Sequence, residues 1–272
     1  TGYALRKRTW LLLPYEVKRH LKTKSIGREM HHFEEVSSTN ALARQMMREV
    51  GCEVQPGTVL IAEQQTGGIG RLNRVWMSPE GGIWATIVVK PDIDVENTFV
   101  IMAAASLSLA KAIRHEFGLS ALIQWPNDVF IGDKKVAGTT LELSADKGRI
   151  RYGLIGIGVD VNLSVEKAMP SLSDIVTSLS DELGHDVERA KFFAVFLKEF
   201  ERRYTMILKG ETEPLFREWR SLSHTLHRRV RIRTLHEGFD GEAIDIDERG
   251  ALLVHRDDGD VERVIAGDCY LL

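Results

Sequence analysis

Residues 58–90 read TVLIAEQQTGGIGRLNRVWMSPEGGIWATIVVK, two apolar runs around a loop with three glycines in four positions. The first run, 58–62, has the unbroken β-branched character of a buried strand. The second, 82–90, reads as a further strand. A polar loop at 64–78 between two strands places Gly67, Gly68 and Gly70 where backbone N–H groups can approach a ligand closely. Arg71 and Arg74 add planar forks suited to phosphate or carboxylate. The loop lacks the Gly-Lys-Ser/Thr of a phosphate-binding Walker loop. Asn73 also breaks the dinucleotide fingerprint at its third glycine. A flexible hairpin with solvated arginines remains the alternative.

Outward from this loop, residues 30–36 predict a strand, and Ser37-Ser38-Thr39-Asn40 predicts the N-cap of a helix over 41–50. Residues 98–117 predict a long helix buried on most sides. Strands follow at 122–126, 129–131, 136–143 and 149–161, the last carrying Gly156-Ile-Gly158. Helices are expected at 10–22, 171–183 and 188–208. In the last, Phe192, Phe196, Phe200 and Tyr204 repeat every four residues as core packing. After residue 221 the texture changes: 229–233 alternates with period two, and 241–246, 251–255 and 261–265 read as short strands between turns. The pattern predicts an α+β protein. A central mixed sheet flanked by helices carries a small all-β barrel at the C-terminus. The expected divisions are 1–27, 28–222 and 223–272.

The 272 residues are 43% hydrophobic and 28% charged, an ordinary globular balance that excludes wholesale disorder. Thirty-six basic against 39 acidic residues leave a charge of −3, which argues against a general nucleic-acid coat. Cys52 and Cys269 form neither a disulfide framework nor a metal spacing, so a reducing cytoplasm is expected. No apolar run approaches the ~18–20 residues of a membrane span, and residues 1–8 do not lead into a signal peptide.

Gln124-Trp-Pro-Asn-Asp128 offers a rigid backbone, an amide and a hard oxygen ligand for ribose or a magnesium ion; an ordinary turn is the alternative. Lys135 follows in the same hairpin, and Gly138 permits close backbone approach. His31 and His32 point to opposite faces of a strand, and no metal set forms around them. Arg228, Arg229, Arg231 and Arg233 read as a solvated barrel face. No nucleophile elbow or Ser/His/Asp order appears.

In order and spacing, Ser38-Thr39-Asn40, the 65–76 loop, Trp125-Pro-Asn-Asp128, Lys135-Val-Ala-Gly138 and Gly156-Ile-Gly158 resemble the signatures of biotin–protein ligases. Residues from about 222, including 241–254 and Gly267-Asp268, resemble that family's small SH3-like C-terminal domain. The resemblance implies ATP-dependent activation of biotin to biotinyl-5'-AMP, then transfer to a lysine of a biotin carboxyl carrier protein. It implies that Ser38, Thr39, Gln65, Arg71 and Gly138 hold biotin. Gly68, Gly70, Arg74, Trp76, Asn127, Asp128 and Asp160 would serve the nucleotide, and Lys135 with Arg71 the chemistry. Asp128 is the implied Mg²⁺ ligand. A homodimer is a possible assembly, with neither membrane nor nucleic-acid binding by this stretch. Residues 2–5 resemble the closing strand of a winged-helix domain.

Four positions depart from the family pattern. Ile69 stands for an arginine, Asn73 for a glycine, Gln124 for a lysine and Asp160 for an asparagine. Ile69 and Gln124 are expected to remove positive charge from the site, and Asp160 to add negative charge near the nucleotide. A biotin-binding paralogue with impaired turnover, or a lipoate- or octanoate-type acyl ligase, are the alternative readings.

Overall fold

The computed structural model describes residues 11–50, 53–234 and 237–272. The first part begins with α1 (Pro14–His20), β1 (Met30–Val36), α2 (Thr39–Glu49), β2 (Val59–Gln65), β3 (Ile83–Val89) and α3 (Phe99–Phe117). It continues through β4 (Ala121–Gln124), β5 (Asp128–Ile131), β6 (Lys134–Asp146) and β7 (Arg149–Val159). Four helices follow: α4 (Val165–Ala168), α5 (Leu179–Leu183), α6 (Arg189–Leu208) and α7 (Glu213–Ser221). The strands form one mixed sheet in the order β1-β2-β3-β7-β6-β5-β4, in which β1 and β2 are parallel and the other pairs antiparallel.

Alternation along the central strands divides the sheet into two faces. On β3, Ile83, Ala85, Ile87 and Val89 enter the main core with α3 and α6. The small side chains Ala103, Ala104 and Ala105, all fully buried, let α3 lie close to that face. On α6, Phe196, Phe200 and Tyr204 stack at centroid distances of 6.2 and 5.7 Å. The opposite face carries Val88 and Leu154, which pack against Ala43 and Met47 of α2. The same face carries Thr86, paired with Gly156, and Trp84, paired with Gly158. Register then places Thr140 beside Gly156 and Gly138 beside Gly158. Gly138, Gly156 and Gly158 therefore leave gaps in that face of the sheet, and a cavity opens above them.

A buried ion pair locks the helical layer to β2. Glu63 Oε2 lies 2.8 Å from Arg189 Nη2, while Oε1 meets His32 Nε2 at 2.8 Å and accepts the backbone N–H of Leu12 at 2.6 Å.

The second sheet comprises β8 (Arg228–Arg233), β9 (Gly238–Ile246), β10 (Leu252–Arg256), β11 (Val261–Val264) and β12 (Asp268–Leu271), ordered β11-β10-β9-β8-β12. Val230 and Ile232 of β8 point inward, and its arginines face solvent. Arg229 pairs with Asp257 and Arg231 with Asp240, as expected of a solvated face. The two sheets meet at Trp125, whose ring N–H donates to the carbonyl of Gly250 at 3.0 Å.

Three segments differ from the sequence expectation. Residues 171–183 hold the end of a 3₁₀ turn (Pro170–Leu172) and then the short α5; between them, backbone bonds from Lys135 to Ile175 and from Thr177 back to Lys135 bridge residues 175–177 to β6. Sheet pairing overrides helix propensity there. Helix α7 was missed although Pro214 lies in its first turn and Leu215, Phe216 and Trp219 are buried on one side. Strand β12 was also missed; its partner is β8, 35 or more positions away in sequence. The expected winged-helix remnant and Cys52 lie outside the described residues. Among the described residues, no helix is long and apolar enough to cross a membrane.

Candidate active site

The cavity above Gly138, Gly156 and Gly158 encloses about 240 Å³. Its polar end is built by the start of α2. Ser38 caps that helix by accepting from the N–H of Ala41 at 3.4 Å, which holds Thr39 and Asn40 at the helix N-terminus, against the sheet. Gln65, at the end of β2, accepts from the backbone N–H of Thr39 at 2.9 Å and donates through Nε2 to Ser78 at 2.9 Å. Behind them Thr86 lies 2.8 Å from the Thr39 hydroxyl and 2.5 Å from Asn40 Oδ1. A Cβ on Gly156 would fall 2.9 Å from Asn40 Oδ1 and 2.3 Å from Thr140 Oγ1, so this glycine makes the room that the polar end needs.

The middle is charged. Lys135 Nζ lies 2.6 Å from Asp128 Oδ2 and 4.7 Å above the Trp76 ring. Arg71 donates to Asn127 Oδ1 at 3.2 Å and to the carbonyl of Gly267 at 3.1 Å. Burial pulls the Arg71 guanidinium below its usual value, while Asp128 and Asp268 oppose that shift. Asn127 is itself fixed, since its Nδ2 donates to the carbonyl of Thr139 at 2.5 Å.

The far end is aromatic. Trp76 lies across Gly138 and Gly158, where added Cβ atoms would come within 3.1 and 2.8 Å of its ring. Its ring N–H is buried without a partner, as are Asp128 Oδ1 and Asp160 Oδ1.

The structure brings Ser38, Thr39, Gln65, Gly70, Arg71, Arg74, Trp76, Asn127, Asp128, Lys135, Gly138 and Asp160 to this one cavity. Gly68 is not part of the wall. It sits behind it, where a Cβ would meet the Trp76 carbonyl at 2.4 Å, so its role is to let the hairpin cross.

The expected charge loss at Gln124 is corrected. Its side chain does not line the cavity; it donates to the carbonyl of Cys269 at 2.9 Å, at the junction of the two sheets. The expected negative charge at Asp160 is corrected as well. Burial raises this carboxyl well above its ordinary range and Lys135 offsets only part of the shift, so the site disfavours the added charge that was expected there. Asn73 adopts a left-handed φ of 59°, a conformation asparagine tolerates, so its replacement of glycine leaves the turn intact. Ile69 does line the mouth, exposed, where a cation was expected.

Sequence reasoning assigned no role to Asn40, Thr140, Asp268, Met169, Leu172 or Val176, which also face the cavity. Asn40 was legible beside Thr39. Met169, Leu172 and Val176 lie around the start of a stretch that reads as a helix, and their local pattern carries no signal for a pocket wall.

Comparison with known proteins gives the class first. Residues 33–160 match the Biotin/lipoate A/B protein ligase family and residues 225–272 match the Biotin protein ligase C terminal domain, so the chain belongs to this ligase family. Within it, the relatives are biotin protein ligases. The bifunctional ligase/repressor BirA of Bacillus subtilis is 33% identical over 271 residues, covering 99% of this chain and 82% of that protein. A biotin–[acetyl-CoA-carboxylase] ligase of Mycobacterium tuberculosis is 29% identical over 249 residues, covering 86% and 88%. Among solved structures, the biotin protein ligase from Aquifex aeolicus in complex with biotin and ATP superposes with a TM-score of 0.75. It is 26% identical and covers 90% of this chain and 99% of that one.

Proposed function

We propose that the cavity joins the carboxylate of biotin to the α-phosphate of ATP, releasing pyrophosphate, and then delivers the acyl group to a lysine of a carboxyl carrier domain, releasing AMP. The supporting observation is the placement of Lys135. Its ammonium stands between a polar end sized for a small hydrogen-bonding head and an aromatic end walled by Trp76 and two glycines. Two anions must meet there, and a fixed cation in a partly dry cleft stabilises the charge that develops as they do.

In this reading Thr39 and Gln65 hold the ureido ring, Gly138 lets the acyl tail pass, and Trp76 covers the adenine side. Asn127 aims Arg71 at the acid or its adenylate. Among the described residues no cluster of three metal-ligating side chains occurs. A Mg²⁺ ion that takes most of its ligands from phosphate and water needs fewer, and the unpartnered Asp128 Oδ1 fits it. When bound, such an ion would offset phosphate charge. We place the reaction in the cytoplasm, in keeping with the free, buried Cys269 thiol.

The test is to incubate the protein with biotin, Mg-ATP and a carrier domain and to follow pyrophosphate release and carrier biotinylation separately. Both are expected, and Lys135→Ala should lower pyrophosphate release by ~10²–10³-fold. Ile69 at the mouth favours a second reading, a binder with poor turnover. Biotin binding without pyrophosphate would select it.

A further inference from the structure

The polar end of the cavity contains a run of four oxygens. Asn40 Oδ1, Thr86 Oγ1, Thr39 Oγ1 and Gln65 Oε1 are spaced 2.5, 2.8 and 3.1 Å apart. Each gap has hydrogen-bond length, so each is satisfied only by a proton between its oxygens.

The two ends supply none. Asn40 faces Thr86 with its oxygen because its nitrogen lies 2.9 Å from Glu142 Oε1, a carboxylate oxygen that can only accept. The second Asn40 N–H points toward Thr140 Oγ1 at 3.4 Å. Glu142 is in turn held by Arg44 at 3.3 Å. At the other end, Gln65 faces Thr39 with its oxygen because the Thr39 backbone N–H donates to it at 2.9 Å. The Gln65 nitrogen is committed to Ser78, whose own proton goes to the carbonyl of Trp76. Each threonine hydroxyl carries one proton. Three gaps therefore share two protons.

We infer that Asn40 and Glu142 are positioning residues that keep the polar end of the cavity one proton short, and that this deficit selects acids whose buried head donates an N–H. The Thr86 proton goes to Asn40 across the shortest gap. The Thr39 proton can then fill only one of the two gaps left. An incoming N–H directed between Thr39 Oγ1 and Gln65 Oε1 supplies what is missing. A cyclic urea carries two such groups; a dithiolane or an alkyl chain carries none and leaves the acceptors buried and unpaired. The inference rests on the biotin reading of the cavity and says why that head is preferred to a lipoyl or octanoyl one. Neither Glu142 nor Arg44 lines the cavity, so both act through Asn40.

Reversing the polarity of the relay tests it. In Glu142→Lys the new ammonium can only donate, so the Asn40 amide turns, its nitrogen faces Thr86, and the missing proton is supplied from within. The double variant Asn40→Asp/Glu142→Lys restores an acceptor facing Thr86 while its second carboxylate oxygen meets the lysine. Calorimetric titration with biotin and, separately, lipoic acid should show biotin affinity falling by about tenfold or more in Glu142→Lys. Lipoic-acid affinity should rise, since the acceptors it leaves unpaired in the parent are now filled from within. The double variant should recover biotin affinity to within about threefold of the parent. Unchanged biotin binding in Glu142→Lys overturns the relay. So does a loss shared equally by both acids, or a loss that the double variant fails to restore. A parent protein that does not bind biotin at all overturns the substrate reading, and the relay with it.

Discussion

Arg71 Nη2 donates to the carbonyl oxygen of Gly267 at 3.1 Å, a contact between residues 196 positions apart in the chain. Its other nitrogen, Nη1, reaches Asn127 on the central sheet. Arg74, one turn further along the same loop, pairs with Asp268. The small second sheet thus holds both arginines of the glycine-rich loop over the cavity.

That latch depends on a backbone shape only glycine takes easily. Gly267 has φ +150°, and a Cβ there would lie 2.7 Å from the carbonyl of Arg233. Gly267→Ala is expected to destabilise the fold by about 1–3 kcal/mol and to raise the KM for biotin by about tenfold or more by releasing Arg71, roughly the loss of one charged hydrogen bond. Urea unfolding and pyrophosphate-release kinetics would check both, and an unchanged KM would show that Arg71 holds its position without the second sheet.

Two glycines on one strand should have separable effects. A methyl on Gly158 would press on Trp76, whereas one on Gly156 would press on Asn40 and Thr140. Gly158→Ala should raise the KM for ATP by about tenfold while sparing biotin affinity, since displacing a packed ring typically costs 1–3 kcal/mol. Gly156→Ala should do the reverse. Calorimetry with each ligand reads the split, and equal losses of both in either variant would contradict the assignment of the two ends.

The two departures thought to weaken the site should respond differently to reversal. Gln124 faces Cys269 outside the cavity, so Gln124→Lys should leave kcat/KM within about twofold. Ile69 stands at the mouth, and Ile69→Arg should raise kcat/KM by about tenfold through added positive charge. A gain from Gln124→Lys alone would show that the side chain swings into the cavity during turnover.

Asp160 sets a pH dependence of stability. Burial raises its carboxyl well above the ordinary 3.8, against the charge of Lys135. The folded chain keeps a proton that the unfolded chain releases above that ordinary value, so this group lowers stability as pH rises from about 4 toward its folded value. Asp160→Asn removes the cost. The variant should exceed the parent in stability by about 1–3 kcal/mol at pH 8, with the difference vanishing near pH 4. Urea midpoints at the two pH values decide it; a gap independent of pH would assign the effect to packing.

Much of the fold is legible because its long elements advertise themselves. The unbroken apolar runs of β2 and β3, the small residues of α3 and the four-residue aromatic repeat of α6 each follow from local period alone. The elements that sequence reasoning lost are those made by distant pairing. The chain at 175–177 lies along β6 because Lys135 bridges to it, and β12 exists because β8 does. Within the site, the motif residues of the loop, the Trp-Pro-Asn-Asp turn and Lys135 were legible as chemistry-bearing types. The pairing of Asn40 with Glu142 was not, because an amide and an acid 102 positions apart look ordinary until register brings them to 2.9 Å.

Most of its strands and helices and its glycine-rich loop with Arg71 were therefore legible in this sequence on its own, through periodicity that is a local property of the chain, and the resemblance of its ordered motifs gave its kinship to the biotin ligases. Only the tertiary structure decided that Gln124 looks away from the cavity, that burial raises the Asp160 carboxyl, and that three oxygen gaps share two hydroxyl protons. Each of those depends on burial or on cross-strand register, and neither quantity exists until segments far apart in the chain are packed together.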